Sequence, residues 1–406
     1  MEYYIIELPN GIKGVLKRIK SPVVYSAITI GTGSCDEFEN EHGAAHFLEH
    51  LFFKGTKKRK QYHINSLLDN VGGELNAYTT KEETVIHSSV LKSDFRKAVD
   101  LMSDVTFNSL LLQKEIDRER EVIFDEINSY KDSPSEQIFD SFEDIVFEGS
   151  SLGHPILGSK KTLKKIDSQT LHNFIERTYN SDKIVFSVIG NITPEKFTLI
   201  TNEFFGGVAC NPRKWSREPL LPYKVQNFEL ARHTHQCHIL MGTRAYNHHS
   251  GERATLSLLV NLLGGQSPSS ILNQQLREKN GLTYNIESSY SSFEKSGLFT
   301  IYLSCDNEKR ERSIELVHKE INKLRDSRLS DFALSKYKKQ LIGQIAIASD
   351  SFESLMLSSA RSLLVYGEID SFNDIKTRIN SISSQDIQRV ANEIMDINNF
   401  STLIYK

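Results

Sequence analysis

Two histidines and a glutamate, His46, His50 and Glu49, are the residues best placed to do chemistry. They sit in Glu41-His42-Gly43-Ala44-Ala45-His46-Phe47-Leu48-Glu49-His50-Leu51. On a helix, positions four apart lie one above the other, so both imidazoles can reach a single metal ion. Glu49 follows the first histidine by three residues and adjoins the second. It therefore shares the rim of that face and can address a water near the ion without being a ligand. The order H-x-x-E-H reverses the commoner H-E-x-x-H zinc helix. Two imidazoles do not complete a catalytic site, which needs a third protein ligand and an open position. The best source is Glu115-Ile116-Asp117-Arg118-Glu119-Arg120-Glu121-Val122-Ile123-Phe124-Asp125-Glu126. Glu119 and Glu126, two helical turns apart, share a face, and Ile116, Val122, Ile123 and Ile127 supply an apolar side to bury. Most carboxylates on such a helix face water, and the pattern alone does not choose Glu126 over Glu119, Glu121 or Asp125.

The elements that must position these groups belong to a chain of ordinary globular composition. At 406 residues there is room for about two or three domains. Hydrophobic residues make up 39% and charged residues 25%, and the formal net charge of -3 exerts no general pull on nucleic acid or an anionic membrane. No apolar run approaches the roughly 18 residues of a membrane span. The start of the chain reads as a strand, with neither a secretory signal nor an Arg- and Ser-rich presequence. Cys35, Cys210, Cys237 and Cys305 are scattered without a C-x-x-C pair, which points to reduced thiols and a cytoplasmic location.

Strands are expected at 3–7 and 12–18, joined by the hairpin dipeptide Asn10-Gly11, and at 24–30. The motif helix should run from His42 to about Lys54, followed by a helix carrying Ile64, Leu67, Leu68 and Val71 and stopped by Gly72-Gly73. Strands at 75–79 and 84–91 precede helices near 93–107, 113–131, 134–148 and 167–178. A β-rich run over 184–189 and a helix ending near Phe205 close the first half. Residues 206–223, with Pro212, Pro219 and Pro222 among charges, read as a linker. The order then repeats: His238-Ile239-Leu240-Met241-Gly242-Thr243-Arg244 echoes Ala27-Ile28-Thr29-Ile30-Gly31-Thr32-Gly33, and Gly281-Leu282-Thr283-Tyr284 stands where Gly73-Glu74-Leu75-Asn76 stood. The expectation is an α+β protein of two similar domains, 1–205 and 224–406, each a mostly antiparallel sheet packed on helices. The second copy has Thr255-Leu256-Ser257-Leu258-Leu259 in place of the metal helix, so only the first half can hold the ion.

Taken with Phe53-Lys54-Gly55-Thr56, Asn76-Ala77-Tyr78-Thr79-Thr80-Lys81-Glu82, Gly153-His154-Pro155-Ile156-Leu157-Gly158 and Leu262-Leu263-Gly264-Gly265, these motifs give a resemblance that covers nearly the whole chain. The sequence resembles the pitrilysin/insulinase family of inverted-motif zinc peptidases, in its half-length branch with mitochondrial processing peptidase and bacterial relatives. The resemblance implies that Glu126 is the third ligand of one zinc ion per chain. It implies that Glu119 is an outer carboxylate steadying a histidine or the water. It also implies that Glu49 is the general base and acid of amide hydrolysis, that Tyr284 faces the oxyanion, and that Arg277 grips substrate backbone. A peptide would bind extended along the edge of 75–79, at Asn76 and Ala77. Such chains form half of a clamshell, so the partner is a second copy or a related chain. Two departures, Gln266-Ser267-Pro268 and Ile271, alter a turn that is usually Gly-rich, Met-bearing and followed by Arg.

Other residues invite assignment without earning it. His42 lies four before His46 but falls at the helix start, outside the site. His233, His235 and His238 alternate as on a strand, so they do not all face one way. His87 should pack on its sheet, and Leu101, Met102 and Val105 are core. Two competing classes remain: a non-catalytic partner subunit, against which intact Glu49 and Tyr284 argue, and a module with a structural zinc, which would need a fourth ligand.

Overall fold

The computed structural model describes residues 3–232 and 234–406, so the expectation for His233 lies outside the described residues. The chain forms two compact units, and they do not divide at a single boundary. One gathers Met1–Asn128, His154–Glu218 and Ala348–Ile369, and the other Ser129–Gly153, Pro219–Ile347 and Asp370–Lys406. The contiguous split expected at 206–223 is thus corrected by an exchange of segments. A helix from the first half, Pro134–Val146, packs on strands of the second sheet, while Phe352–Tyr366 packs on the first. Amphipathic spacing tells a helix which face to bury but not which sheet to bury it on.

The first unit holds six strands, β1 (Tyr4–Glu7), β2 (Lys13–Arg18), β3 (Val23–Ile30), β4 (Glu74–Thr79), β5 (Thr84–Leu91) and β6 (Ile184–Gly190). They lie in the order β1-β2-β6-β3-β5-β4, with β2 and β6 parallel and every other pair antiparallel. The strand β6, Ile-Val-Phe-Ser-Val-Ile-Gly, is buried at every position, as a central strand covered on both faces must be. One face carries the motif helix, Gln61–Asp69, Phe95–Phe107, Ser168–Thr178 and Pro194–Phe205 over a core that includes Leu101, Met102 and Val105, all fully buried. The other face takes Phe352–Tyr366, whose Met356, Ala360 and Leu363 meet Ala27, Val85, Ile189, Val15 and Val185. His87 does lie on that sheet, and its Nδ1 sits 2.9 Å from Glu353 Oε1. The strand β4 is an edge: it pairs with β5 through Ala77↔Ile86 and Thr79↔Thr84, and among the described residues no strand lies beyond it.

The first part of the expected linker is tied down rather than loose. Arg217 is almost wholly buried; it donates to Asp36 at 2.8 and 2.9 Å and lies 2.9 Å from Glu82. Arg213 reaches Gly31 O, and Trp215 Nε1 donates to Arg177 O at 3.2 Å. Asp36 belongs to the turn before the motif helix and Glu82 to the turn after β4, so one guanidinium joins both flanks of the site.

The second unit holds β7 (Asn227–Leu230), β8 (Cys237–Ala245), β9 (Thr283–Ser292), β10 (Gly297–Cys305) and β11 (Ser401–Tyr405), ordered β7-β11-β8-β10-β9. Only β7 and β11 are parallel. Set beside the first sheet, β8 stands where β3 does, β10 where β5 does and β9 where β4 does, which is the repeat the sequence suggested. Helices Arg253–Gly264, Arg310–Asp326 and Ser384–Ile394 cover it over a core of Leu256, Leu259, Leu263, Phe299, Ile301, Val317 and Val390. All four cysteines are free. Among the described residues no helix is long and apolar enough to cross a membrane.

Candidate active site

The motif helix is shorter than expected, Ala44–Leu51, because Gly43 before it adopts φ 99°, a left-handed conformation that ends the helix there. Gly158 (φ 65°) packs against this turn; a Cβ on it would stand 2.4 Å from His42 O. His42 thus falls outside the helix, its ring stacked on His154 at 3.7 Å.

No side chain caps this helix from the N-cap position. Glu37, which the sequence reading passed over, does so from farther back: its carboxylate accepts from Gly43 N and Ala45 N, each at 2.8 Å. The third contact is His154 Nε2, 3.1 Å from Glu37 Oε2 and 2.9 Å from Ser34 O. Both neighbours are acceptors, so that nitrogen carries the proton and donates. Burial holds the Glu37 carboxyl well above the ordinary range, despite the two amides. Lys81 Nζ donates to His154 O at 2.7 Å. His154 and Lys81 fall in motifs already singled out, but nothing local announces Glu37 as a cap.

The second contributor is the helix Gln113–Lys131. Ile116, Ile123 and Ile127 are buried as expected, but Val122 is 48% exposed, a correction to the apolar face drawn for it. Glu121 and Asp125 share that exposed side, whereas Glu119 is buried and Glu126 half-buried. Packing therefore makes the choice the sequence left open. Glu126 Oε1 lies 3.7 Å from His46 Nε2, and its Oε2 lies 3.5 Å from His50 Nε2. Glu119 Oε2 takes the other ring nitrogen of His50, Nδ1, at 3.3 Å, and Glu119 Oε1 is held by Lys54 Nζ at 2.7 Å.

Potential ligand atoms of His46, His50 and Glu126 all lie within 4.8 Å of one another, and no other such group occurs among the described residues. Zinc bonds of about 2.0–2.1 Å place tetrahedral ligand atoms roughly 3.3–3.4 Å apart, close to the 3.7 and 3.5 Å between Glu126 and the two imidazoles. Two imidazole nitrogens and a carboxylate, with Glu119 fixing the tautomer of one ring, are a donor set that fits zinc. Burial, then the neighbouring His50, lowers the His46 pKa to about 4, keeping it in the neutral form a metal requires. Burial works the same way on His50, but its contacts to Glu126 and Glu119 outweigh it and leave that ring raised. Glu126 is lowered, first by its bond to His50. Glu49 is raised by burial, against Thr79 and His50.

Glu49 leans toward the end of β4, where the Thr79 hydroxyl faces it without closing a well-formed hydrogen bond. Ala77 points into the core and Asn76 is exposed on the opposite face of the strand. Arg277 and Tyr284 belong to the second unit. Arg277 is exposed in the turn Asn273–Glu278, and Tyr284, 64% exposed, opens β9. His235 is exposed, and His238 Nδ1 bonds the Tyr302 hydroxyl at 2.8 Å.

An inverted pair of imidazoles and a distant carboxylate, mounted on one of two repeated α+β units, define a metallohydrolase-type centre. The family model described as Insulinase (Peptidase family M16) matches residues 15–160, and that described as Peptidase M16 inactive domain matches 165–341. An uncharacterised zinc protease of Bacillus subtilis, YmxG, is 30% identical over 95% of this chain and 94% of its own length. Another from Streptomyces coelicolor is 31% identical over 96% of this chain and 86% of its own. The crystal structure of a protease from Helicobacter pylori superposes with TM-score 0.92 at 20% identity, covering 100% of this chain and 99% of that one. The chain belongs to the insulinase family of peptidases, family M16, and fits its half-length branch. It is an enzyme, a metallopeptidase.

Proposed function

We propose that this chain is a zinc endopeptidase acting on peptides or unfolded segments held as an extended strand. The observation that carries the reading is the meeting of His46, His50 and Glu126, with Glu49 half-buried beside them. Bound there, zinc would polarise the scissile carbonyl and make the attacking water acidic near neutral pH. Glu49 removes that water's proton and later delivers one to the leaving amine nitrogen. Glu119 holds the His50 ring through Nδ1, and Lys54 balances its charge. The free edge of β4 supports binding by strand addition at Asn76 and Ala77, which reads main chain more than side chains and gives loose sequence preference. The Tyr284 hydroxyl stabilises the developing oxyanion and Arg277 holds substrate backbone. In a clamshell of two copies, or of this chain and a related one, these two residues serve the partner's ion. Four free thiols support a reducing, cytoplasmic setting.

The test is turnover of an unstructured peptide. Activity that a chelator removes and zinc restores supports the reading, and full activity of metal-free protein overturns it. Mixing Glu49→Gln with Tyr284→Phe protein tests sharing between chains: regained activity in the mixed dimer supports it, and a verified but inactive mixed dimer refutes it.

A further inference from the structure

Cys237 and Cys305 are two of only four cysteines in the chain, and they stand directly opposite one another. Cys237 opens β8 and Cys305 closes β10, so the antiparallel ladder ends on this pair. Both are buried, at 1% and 0% exposure, in the core that also holds Ile239, Leu303 and Val317. One cysteine here would be a small apolar filler. Two that face each other are a dithiol.

Opposed residues of an antiparallel pair have Cα atoms about 4.5–5.5 Å apart, inside the roughly 4.4–6.8 Å that a disulfide spans. Their Cβ atoms need to close by roughly 1 Å. The ladder can give at this point. On its other side Cys305 pairs with Thr283 of β9, across a register irregularity between Ser304 and Cys305. Such a break in the hydrogen-bond ladder lets a strand bend locally.

The two sulfurs also share a hydrogen bond. Cys237 donates to Cys305, which pushes the Cys237 thiol up and holds the Cys305 thiol down against its burial. The Ser313 hydroxyl and the Lys309 ammonium favour the Cys305 thiolate as well, while Asp306 opposes it. Cys305 is therefore the nucleophile of the pair, and Cys237 the thiol that resolves it. The charged groups nearest the sulfurs are solvent-facing pairs: Glu229 with Arg310 at 2.9 Å and with Lys406, and Asp306 with Lys309 at 2.8 Å. Fraying of the strand ends beneath such a cover admits a molecule little larger than water.

We propose that Cys237 and Cys305 form a reversible redox site, oxidised by a peroxide to a cross-strand disulfide. The Cys305 thiolate attacks a peroxide oxygen, the O–O bond breaks, hydroxide leaves and Cys305 becomes a sulfenic acid. The Cys237 sulfur then attacks the Cys305 sulfur, the S–O bond breaks and a second hydroxide leaves. The two thiol protons turn both hydroxides into water, so two thiols and one hydrogen peroxide give one disulfide and two waters. The resting state is the dithiol, as in the structure, and the site uses none of the residues assigned to hydrolysis.

The experiment doses full-length native protein with hydrogen peroxide until the exposed Cys210 is oxidised. The protein is then unfolded in an alkylating agent, digested without reductant and read by mass spectrometry. The expected product is a peptide pair joined from Cys237 to Cys305, two hydrogens lighter than its parts and split by dithiothreitol. Recovery of both residues as alkylated thiols overturns the inference. So do separate sulfinic acids with no linked peptide, or a disulfide from either residue to Cys210. Cys237→Ala tests the roles: Cys305 then loses its resolving thiol and should take up a sulfenic-acid probe that the wild type does not. Equal labelling of the two proteins would contradict those roles.

Discussion

The motif helix and Arg253–Gly264 occupy the same place in two copies of one architecture, the first against β4 and the second against β9. In the second copy Leu256, Leu258, Leu259, Leu262 and Leu263 are all fully buried, and apolar packing is joined by two hydrogen bonds, Asn261 Nδ2 to Gln344 Oε1 at 2.9 Å and the Ser288 hydroxyl to Val260 O at 2.8 Å. In the first, His46, Glu49 and His50 sit where packing would otherwise suffice, and polar side chains gather around the helix, although His46 Nδ1 is buried without a hydrogen-bond partner among the described residues. Glu119 and Lys54 hold His50, Glu37 and His154 hold the helix start, and Arg217 ties together the turns on either side. A functional helix in a packed slot therefore needs charged partners around its imidazoles, where its silent twin presents leucines.

The sharpest way to break this contrast is Glu49→Gln. Turnover should fall about 10²- to 10⁴-fold with zinc content intact, since only the proton carrier is lost. Retained activity would make the first helix as silent as the second. Glu119→Gln should cost less: zinc affinity or turnover drops about 10- to 100-fold, read by competition with a chelator, because His50 loses its orienting acceptor. Glu37→Ala removes a cap and leaves the Gly43 and Ala45 amides without their acceptor, while the His154 N–H keeps Ser34 O. We expect about 1–3 kcal/mol of stability lost in denaturant titration, with weaker zinc retention. Smallest in its effect on turnover is Leu259→Ala in the second helix. It should lower stability by about 2–5 kcal/mol as a cavity mutation, yet leave zinc content unchanged.

What was legible in advance was local. His46, Glu49 and His50 lie within one and a half turns, so helical geometry alone brings them together. The sheet order was half legible, because strands such as β8 repeat the pattern of β3. By spacing alone the third ligand was narrowed to a helix but not to a residue, since Glu119, Glu121, Asp125 and Glu126 are chemically alike; the family resemblance pointed to Glu126. Packing, which buried Glu119 and exposed Val122, Glu121 and Asp125, gives the physical reason they differ. Glu37 escaped notice because it caps from a preceding turn and not from the N-cap position. The exchange of Pro134–Val146 and Phe352–Tyr366 between units was hidden for a similar reason, since an apolar helix face carries no address.

The central claim is that Glu126 completes, with His46 and His50, a metal centre on which hydrolysis depends. Zinc content and turnover of an unstructured peptide, measured on the same preparations of wild type and Glu126→Gln, test it most directly. One zinc per chain with chelator-sensitive turnover in the wild type, and loss of both in the variant, is the predicted result. A Glu126→Gln protein that binds zinc and cleaves as the wild type does would contradict it.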